Sequence, residues 1–293
     1  MANKPAKKQL PAKGRSGGKG GGFDRWIVVG IIVALIAIAL TLWGPLRKYR
    51  VAEEKKPAVQ TKKREPLQRK TGKTALVAIV IDDLGADIKQ AREILSLRGK
   101  ITFAVMPGLS QSKKVAELAR QNGHEVLLHL PMEYRNRNGK PAPGMLRADM
   151  TPMEFLTTVS DNVESVPGAI GINNHEGSSL TENQEAMKFL MAELKARNLM
   201  FLDSFTSAKS VAYATAKEFG LKSARRDVFL DNEADNPASI RKQLDELTAL
   251  ARKNGKAIGI GHPHPATINE LRKWLTEADS QGIELVPVSR LMN

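Results

Sequence analysis

Residues 75–85 read ALVAIVIDDLG, an apolar, β-branched run that ends in two aspartates and a glycine. A short buried run closed by a polar turn is typical of a strand in a parallel sheet. From residue 74 onward, similar apolar runs alternate with amphipathic stretches. This alternation predicts βα units, and therefore a parallel sheet with helices packed on its outer face.

The predicted elements cover the segment 74–293. We place strands at residues 75–81, 101–106, 125–130, 169–172, 199–202, 228–230, 257–260 and 284–286. Capping sequences at Thr151, Thr181 and Thr267, each followed three residues later by Glu or Gln, predict helix starts. Seven or eight such units favour a distorted (β/α) barrel over an open sheet, and in such barrels the C-terminal strand ends carry the chemistry.

The first 73 residues differ from the rest in charge. They hold 18 of the 45 Lys and Arg and 4 of the 31 Asp and Glu, so residues 74–293 hold 27 of each. The net charge of +14 therefore belongs to the N-terminal part, and the neutral remainder argues against a nucleic-acid partner. We interpret residues 1–25 as a basic arm and residues 45–73 as a charged, flexible linker.

Between these two basic segments lies WIVVGIIVALIAIALTLW, residues 26–43, which carries no charge. Its 18 residues are enough to cross a bilayer, and tryptophan stands at both ends as in an interfacial belt. We expect residues 26–44 to form an uncleaved transmembrane anchor; a buried core helix is the alternative. Basic residues flank both sides, so the positive-inside rule does not choose an orientation. The shorter arm favours a domain on the periplasmic or extracytoplasmic side of the cytoplasmic (inner) membrane.

The candidate ligands are nitrogen and oxygen atoms, because the chain has no cysteine. All five histidines lie near predicted strand ends, and aspartates end the first and fifth strands. If these ends meet at one barrel mouth, their side chains form one site. They are Asp82, Asp83, His129, His175, Asp203 and His262.

One carboxylate with two neutral imidazoles leaves open positions for water and substrate, which is the arrangement of catalytic zinc. Each residue also has a structural explanation. The two adjacent aspartates can be helix N-caps, and His124 can cap the helix that ends before it. His129 and His175 can be hydrogen-bonded core residues. His264 lies between prolines and either supports the site or is exposed.

Seven ordered segments carry a resemblance to a known family. They are VIDDLG (80–85), FAVMPG (103–108), GHEVLLHLPME (123–133), GINNHEGSSLT (171–181), FLDSFTS (201–207), RRDVFLDN (225–232) and IGIGHPHPAT (258–267). In order and spacing they resemble the divergent polysaccharide deacetylase family of bacterial envelope proteins, within the polysaccharide deacetylase (NodB-homology) superfamily. The resemblance covers residues 75–292 and implies a distorted (β/α) barrel that binds a divalent metal, usually zinc.

The resemblance also implies roles for individual residues. Asp82 resembles the general base, Asp83 the metal-binding aspartate, and His262 the general acid. His129 resembles the first histidine of the His-x-x-x-His motif, whose second position is Glu133 here. We therefore expect His175 to supply the missing imidazole and Glu133 to be a weaker ligand or a supporting group. Residues expected to contact sugar or support the site are His124, Asn174, Asp203, Ser204, Arg226, Asp231 and His264, although Arg226 and Asp231 can equally form a structural ion pair.

Three functions fit these residues. The first is metal-dependent removal of acetyl groups from an envelope polysaccharide or related glycan. The second is a non-catalytic glycan-binding or scaffold protein that keeps the metal pocket, which the change to Glu133 favours. The third is a metal-dependent glycosidase on a related barrel, because such barrels host many reactions.

Overall fold

The computed structural model describes residues 74–135 and 142–293. The expected arm, anchor and linker of residues 1–73 lie outside the described residues. None of the helices in the described part has the length and apolar character needed to cross a membrane.

The strands of the described part are all parallel and form one sheet. They are Ala75–Leu84 (β1), Thr102–Val105 (β2), Val126–Met132 (β3), Gly171–Glu176 (β4), Met200–Asp203 (β5), Ser223–Arg225 (β6), Val228–Phe229 (β7), Lys256–Gly261 (β8) and Ile283–Leu285 (β9). The sheet order is β6-β5-β4-β3-β2-β1-β8-β7, and β9 pairs with the first residues of β1. The sheet curls into a half-barrel that confirms the predicted (β/α) architecture. All eight predicted strands are present, and β6 is a ninth that the sequence did not reveal.

Seven α-helices connect the strands. They are Ile88–Leu95 (α1), Ser112–Gln121 (α2), Pro152–Ser165 (α3), Gln184–Ala196 (α4), Ala212–Glu218 (α5), Pro237–Asn254 (α6) and Pro265–Ala278 (α7). Short 3₁₀ turns lie at Leu180–Glu182, Asp279–Gln281 and Val288–Arg290.

The predicted helix starts have different outcomes. The capping box of Thr151 and Glu154 is present as predicted. The prediction at Thr181 is wrong by two residues, because a 3₁₀ turn comes first and Asn183 caps α4 with its side chain. The prediction at Thr267 is also wrong. The fixed φ of Pro265 suits the first helical position, so α7 begins there, and the Thr267 hydroxyl instead donates to Asp231.

The core has two layers because strand side chains alternate. Val77, Ile79 and Ile81 of β1 pack against the helices, whereas Ala78 and Val80 face the inside of the curled sheet. The interior cluster also contains the C-terminal residues Val286, Val288, Leu291 and Met292. This apolar layer lies beneath the polar C-terminal strand ends, so an interior-facing polar residue at a strand end packs against apolar side chains below it.

Candidate metal centre

Strand alternation determines which predicted residues meet inside the barrel mouth. Asp82 lies two residues after Val80 on β1 and therefore shares the interior face of Ala78 and Val80. His129 shares the interior face of Leu127 on β3 for the same reason. By the same rule His262 follows Ile260 into the interior. These three side chains come from β1, the middle of β3 and the residue after β8, yet they converge because neighbouring parallel strands end at one edge.

Asp83 should face outward by alternation, but a β-bulge turns it inward. The pairing of β1 with β2 passes from Ile81↔Phe103 to Leu84↔Val105, so two residues of β1 oppose one of β2. Asp83 has φ 58°, in the left-handed region that aspartate tolerates better than most residues. The bulge therefore brings both carboxylates of the pair to the same site.

Three ligand atoms lie close together at the centre of the mouth. Asp83 Oδ1 is 3.2 Å from His129 Nε2 and 2.9 Å from His175 Nδ1, and the two nitrogens are 3.1 Å apart. Asp83 Oδ1 is buried and makes no hydrogen bond in spite of these distances. Ligands about 2.0–2.2 Å from one cation are spaced in this way. The donor set thus fits a divalent metal ion such as Zn²⁺, and these three residues could hold one.

The protonation of His129 also suits a ligand. Asn173 donates its amide Nδ2–H to Asp82 Oδ1 at 2.8 Å, so the amide oxygen faces His129 Nδ1 at 3.1 Å. This oxygen can only accept, and Nδ1 therefore carries the proton. In the neutral imidazole this directs the lone pair of Nε2 toward Asp83 and His175, as metal coordination requires.

Burial and neighbouring groups act differently on the two aspartates. Burial raises the pKa of Asp82, and the opposing effects of His129, His262 and Asn173 do not cancel it. Burial also acts on Asp83, but the two imidazoles outweigh it and lower the pKa of Asp83 well below its usual range. Asp83 is thus ionised as a ligand must be, while Asp82 is a stronger base than an exposed aspartate. Asp82 Oδ2 lies 3.6 Å from His129 Nε2, beside the three ligand atoms.

His262 lies across the site and is held by Asp231. Its Nδ1 is 3.0 Å from Asp231 Oδ1, and its backbone N–H donates to Asp231 Oδ2 at 2.6 Å. Burial opposes protonation of the imidazole, but the hydrogen bond and charge of Asp231 raise the pKa of His262 to about 9. Its Nε2 faces the site, 3.8 Å from Asp83 Oδ2. The geometry presents a proton donor to the site beside Asp83.

Two predicted residues lie outside the centre. Glu133 does not join the three-atom ligand cluster, and its carboxylate accepts the backbone N–H of Ala148 at 3.1 Å. His124 does not support the site either. It precedes β3, at the opposite end of the strand from the mouth, and its Nδ1 contacts the backbone of Ile101.

The remaining predicted residues organise the loops around the centre. Asn174 accepts the backbone N–H of Ser204 at 2.8 Å, and the Ser204 hydroxyl lies 3.2 Å from Asn173 Nδ2. Asp203 faces away from the interior, and its carboxylate accepts hydrogen bonds from its own following loop.

Arg226 donates to the carbonyls of Ser204 and Phe205, whereas Asp231 binds His262, so the ion pair considered for Arg226 and Asp231 is absent from the described structure. His264 immediately precedes α7 with its ring 5.7 Å from that of His262, in a second group of possible ligands with Asp231.

The sequence analysis missed Asn173, which contacts both the base and a ligand. A signal was present, because Asn173 lies two residues before His175 on the same strand and therefore shares its face. The adjacent Asn174, which we named instead, points the other way.

A half-barrel of parallel strands with this acidic and imidazole cluster at its C-terminal mouth defines a class of protein, the polysaccharide deacetylase fold. A family model described as divergent polysaccharide deacetylase matches residues 79–292, and the chain belongs to that family.

Among its relatives, the uncharacterized protein YibQ of Escherichia coli (strain K12) is 39% identical over 74% of this chain and 67% of its own. An uncharacterized Haemophilus influenzae protein is 36% identical over 73% of this chain and 76% of its own length. The crystal structure of an uncharacterized protein from Agrobacterium tumefaciens C58 is similar to this structure with a TM-score of 0.72. The two sequences are 30% identical, and the match covers 76% of this chain and 91% of the other.

Proposed function

We propose that this protein is a metal-dependent hydrolase that removes acetyl groups from an envelope polysaccharide or a related glycan. The observation that carries the proposal is the convergence of Asp83 Oδ1, His129 Nε2 and His175 Nδ1 within 3.2 Å of one another. Asp82 lies 3.6 Å from His129 Nε2, and His262 lies 3.8 Å from Asp83 Oδ2. Membership of the deacetylase family supports the same substrate class.

The residues divide the work as follows. Asp83, His129 and His175 would hold the divalent ion, which would polarise a carbonyl oxygen and acidify water when bound. Asp82, whose pKa is raised by burial, takes the proton from the attacking water. His262, kept protonated by Asp231, gives its Nε2 proton to the departing amine or alcohol. The glycan keeps its backbone and acetate is released.

The presence of Glu133 where the superfamily motif has its second histidine does not remove a ligand from the proposed set. His175 on the neighbouring strand supplies the imidazole, with its Nδ1 2.9 Å from Asp83 Oδ1. The change to Glu133 therefore does not count against a metal-dependent enzyme. For the N-terminal segment we propose the membrane anchor of residues 26–44, which would hold the domain near envelope glycans.

The test is acetate release by the full chain in detergent, with zinc, from N-acetylglucosamine oligomers and O-acetylated glycans. We expect Asp82→Asn to reduce kcat by about 10²–10⁴-fold, the usual contribution of a positioned base. Asp245→Asn on the exposed face of α6 is the matched control and should leave the rate unchanged. Equal rates for the parent and Asp82→Asn contradict the proposal. Reducing ends without acetate would identify a glycosidase, and glycan binding without either product a scaffold.

A further inference from the structure

Phe205 adopts a backbone conformation that is costly for a large side chain. Its φ is 52°, in the left-handed region. Two contacts maintain this conformation: Asp203 Oδ1 accepts the Phe205 N–H at 2.8 Å, and Arg226 donates to its carbonyl at 3.0 Å. Strain that the surroundings hold in place is characteristic of functional positions.

The guanidinium of Arg225 lies over the ring of Phe205. The guanidinium carbon lies 4.3 Å from the ring centroid, within the range of a cation–π contact. A guanidinium stacked on an aromatic face keeps its in-plane N–H groups free at the edge. The Arg225 side chain is exposed and forms no hydrogen bond or ion pair with any residue in 74–135 or 142–293. A positioned bidentate donor therefore lacks an acceptor.

The carboxylate of the residue paired with Arg225 does not fill this role. Asp203 lies opposite Arg225 in the β5–β6 pairing. Its Oδ1 already accepts from Phe205, and its Oδ2 accepts from the Ser210 hydroxyl at 2.8 Å and the Tyr213 N–H at 3.4 Å. Both oxygens are committed to the loop, and the edge of the guanidinium remains available for an external anion.

The pair lies at the rim of the mouth rather than in its centre. Arg225 ends the edge strand β6, and its neighbour Ala224 packs into the interior cluster, so Arg225 points to the outer side of the rim. Phe205 follows Ser204, which is linked through Asn173 to the base Asp82. A glycan chain that leaves the centre over the Ser204–Phe205 loop would pass this pair.

We propose that Phe205 and Arg225 form a subsite for a negatively charged sugar that neighbours the acetylated one, so that the substrate is an anionic glycan. Phe205 orients the guanidinium, whose edge donates two parallel N–H bonds to a sugar carboxylate. The proposal rests on the proposed function for the reacting sugar, but the anion preference is a property of binding and can be measured without turnover.

The experiment measures binding by calorimetry to the zinc-loaded full chain carrying Asp82→Asn, which prevents turnover. The two probes are an N-acetylated oligosaccharide with one sugar carboxylate and the methyl ester of the same oligosaccharide. We expect the carboxylate to bind about tenfold more tightly, as a charge-assisted hydrogen-bonded pair predicts. Adding Arg225→Gln should abolish this preference and leave the affinity for the ester unchanged.

Two further variants separate a subsite from a structural contact. Arg98→Gln, at an exposed arginine after α1 at the far end of the barrel, should keep the full preference. Phe205→Gly removes the platform while suiting the positive φ, and it should fold yet lose most of the preference. Equal affinity for the two probes in the parent overturns the proposal, as does an equal loss for both in Arg225→Gln. Anion preference without acetate release from any glycan would reject the hydrolase and keep the subsite.

Discussion

Asn173 joins the two halves of the proposed chemistry through one side chain. Its amide nitrogen donates to Asp82 and its oxygen accepts from His129, so base and ligand are oriented together. It touches neither metal nor substrate in this arrangement and acts as a positioning residue. Groups that hold a ligating histidine by its second nitrogen commonly contribute 10–100-fold in metal affinity or activity.

Substitutions at Asn173 should separate these two contacts. We expect Asn173→Ala to lose both, with zinc affinity reduced by about 10–100-fold and kcat also lowered. Asn173→Asp keeps an acceptor for His129 Nδ1 but places a second carboxylate against Asp82, so zinc affinity should persist while kcat falls. Zinc titration and kcat measurements provide the two readings. Asn174→Ala, on the opposite face of β4, is the control and should keep the zinc affinity of the parent. Unchanged zinc affinity in Asn173→Ala would contradict this role.

At the residue scale, the sequence identified most of the centre, because polar residues at apolar strand ends are conspicuous. Asp82, Asp83, His129, His175 and His262 all meet there. It could not show how Asp83 and Asp82 reach the same site, since adjacent strand residues face opposite ways. That depends on a bulge and a left-handed aspartate, which the letters DDLG do not specify.

At the element scale, Asp231 fastens three elements together. It follows β7, and it accepts from the backbone and ring of His262 after β8 and from the Thr267 hydroxyl of α7. Gly261 makes room for this arrangement, because a Cβ there would lie 3.2 Å from Asp231 Oδ2. Thr267 was predicted to be a helix cap from local sequence alone. Its actual partner is 36 residues away, which local patterns cannot reveal.

The Asp231–His262 contact should make the stability of the metal-free protein depend on pH. The pKa of His262 is raised from its ordinary 6.5 to about 9, so its contribution is full below pH 6.5 and is lost as the pH rises through 9. The pKa of Asp231 is lowered despite burial, so its own contribution is lost only in acid. Between pH 6.5 and 9 we expect a decrease of about 3 kcal/mol in the free energy of unfolding.

Urea denaturation of the metal-free protein between pH 6 and 10 measures this decrease. Asp231→Asn removes the charge that stabilises the imidazolium, so its stability should be lower at pH 6 and should fall less than that of the parent between pH 6.5 and 9. A smaller decrease remains in this variant, because, against the opposing effect of burial, Asp82 and Asp83 also raise the pKa of His129. Asp245→Asn on α6 should reproduce the pH profile of the parent. A parent protein whose stability is constant between pH 6 and 10 would show that this contact is not coupled to folding.

At the scale of the whole molecule, the architecture was predictable because it follows from one repeated pattern. Apolar runs followed by amphipathic stretches determine a parallel sheet with outer helices, and all eight predicted strands are present. The openness of the barrel was not predictable. The two edge strands, β6 and β7, are short, and only Arg226 and Asp227 lie between them in the chain. Two parallel strands need a long crossover connection to pair with each other, so β6 and β7 remain at opposite edges of the sheet and the barrel stays open.

The fold also explains why a bound ion should stabilise the whole protein. The three ligands come from β1, β3 and β4, so an ion that they share links three strands and binds the folded chain preferentially. At a free zinc concentration of 100 times Kd, we expect about 2.7 kcal/mol of added stability and a rise in Tm of roughly 5–10 °C. Scanning calorimetry with zinc, and again after chelation by EDTA, measures the shift.

His175→Gln should abolish this zinc-dependent rise in Tm. His124 lies at the other end of the barrel, so His124→Gln should lower the starting Tm and keep the full zinc-dependent rise. An identical zinc-dependent rise in His175→Gln would mean that the ion binds elsewhere, and the three-strand centre would have to be abandoned.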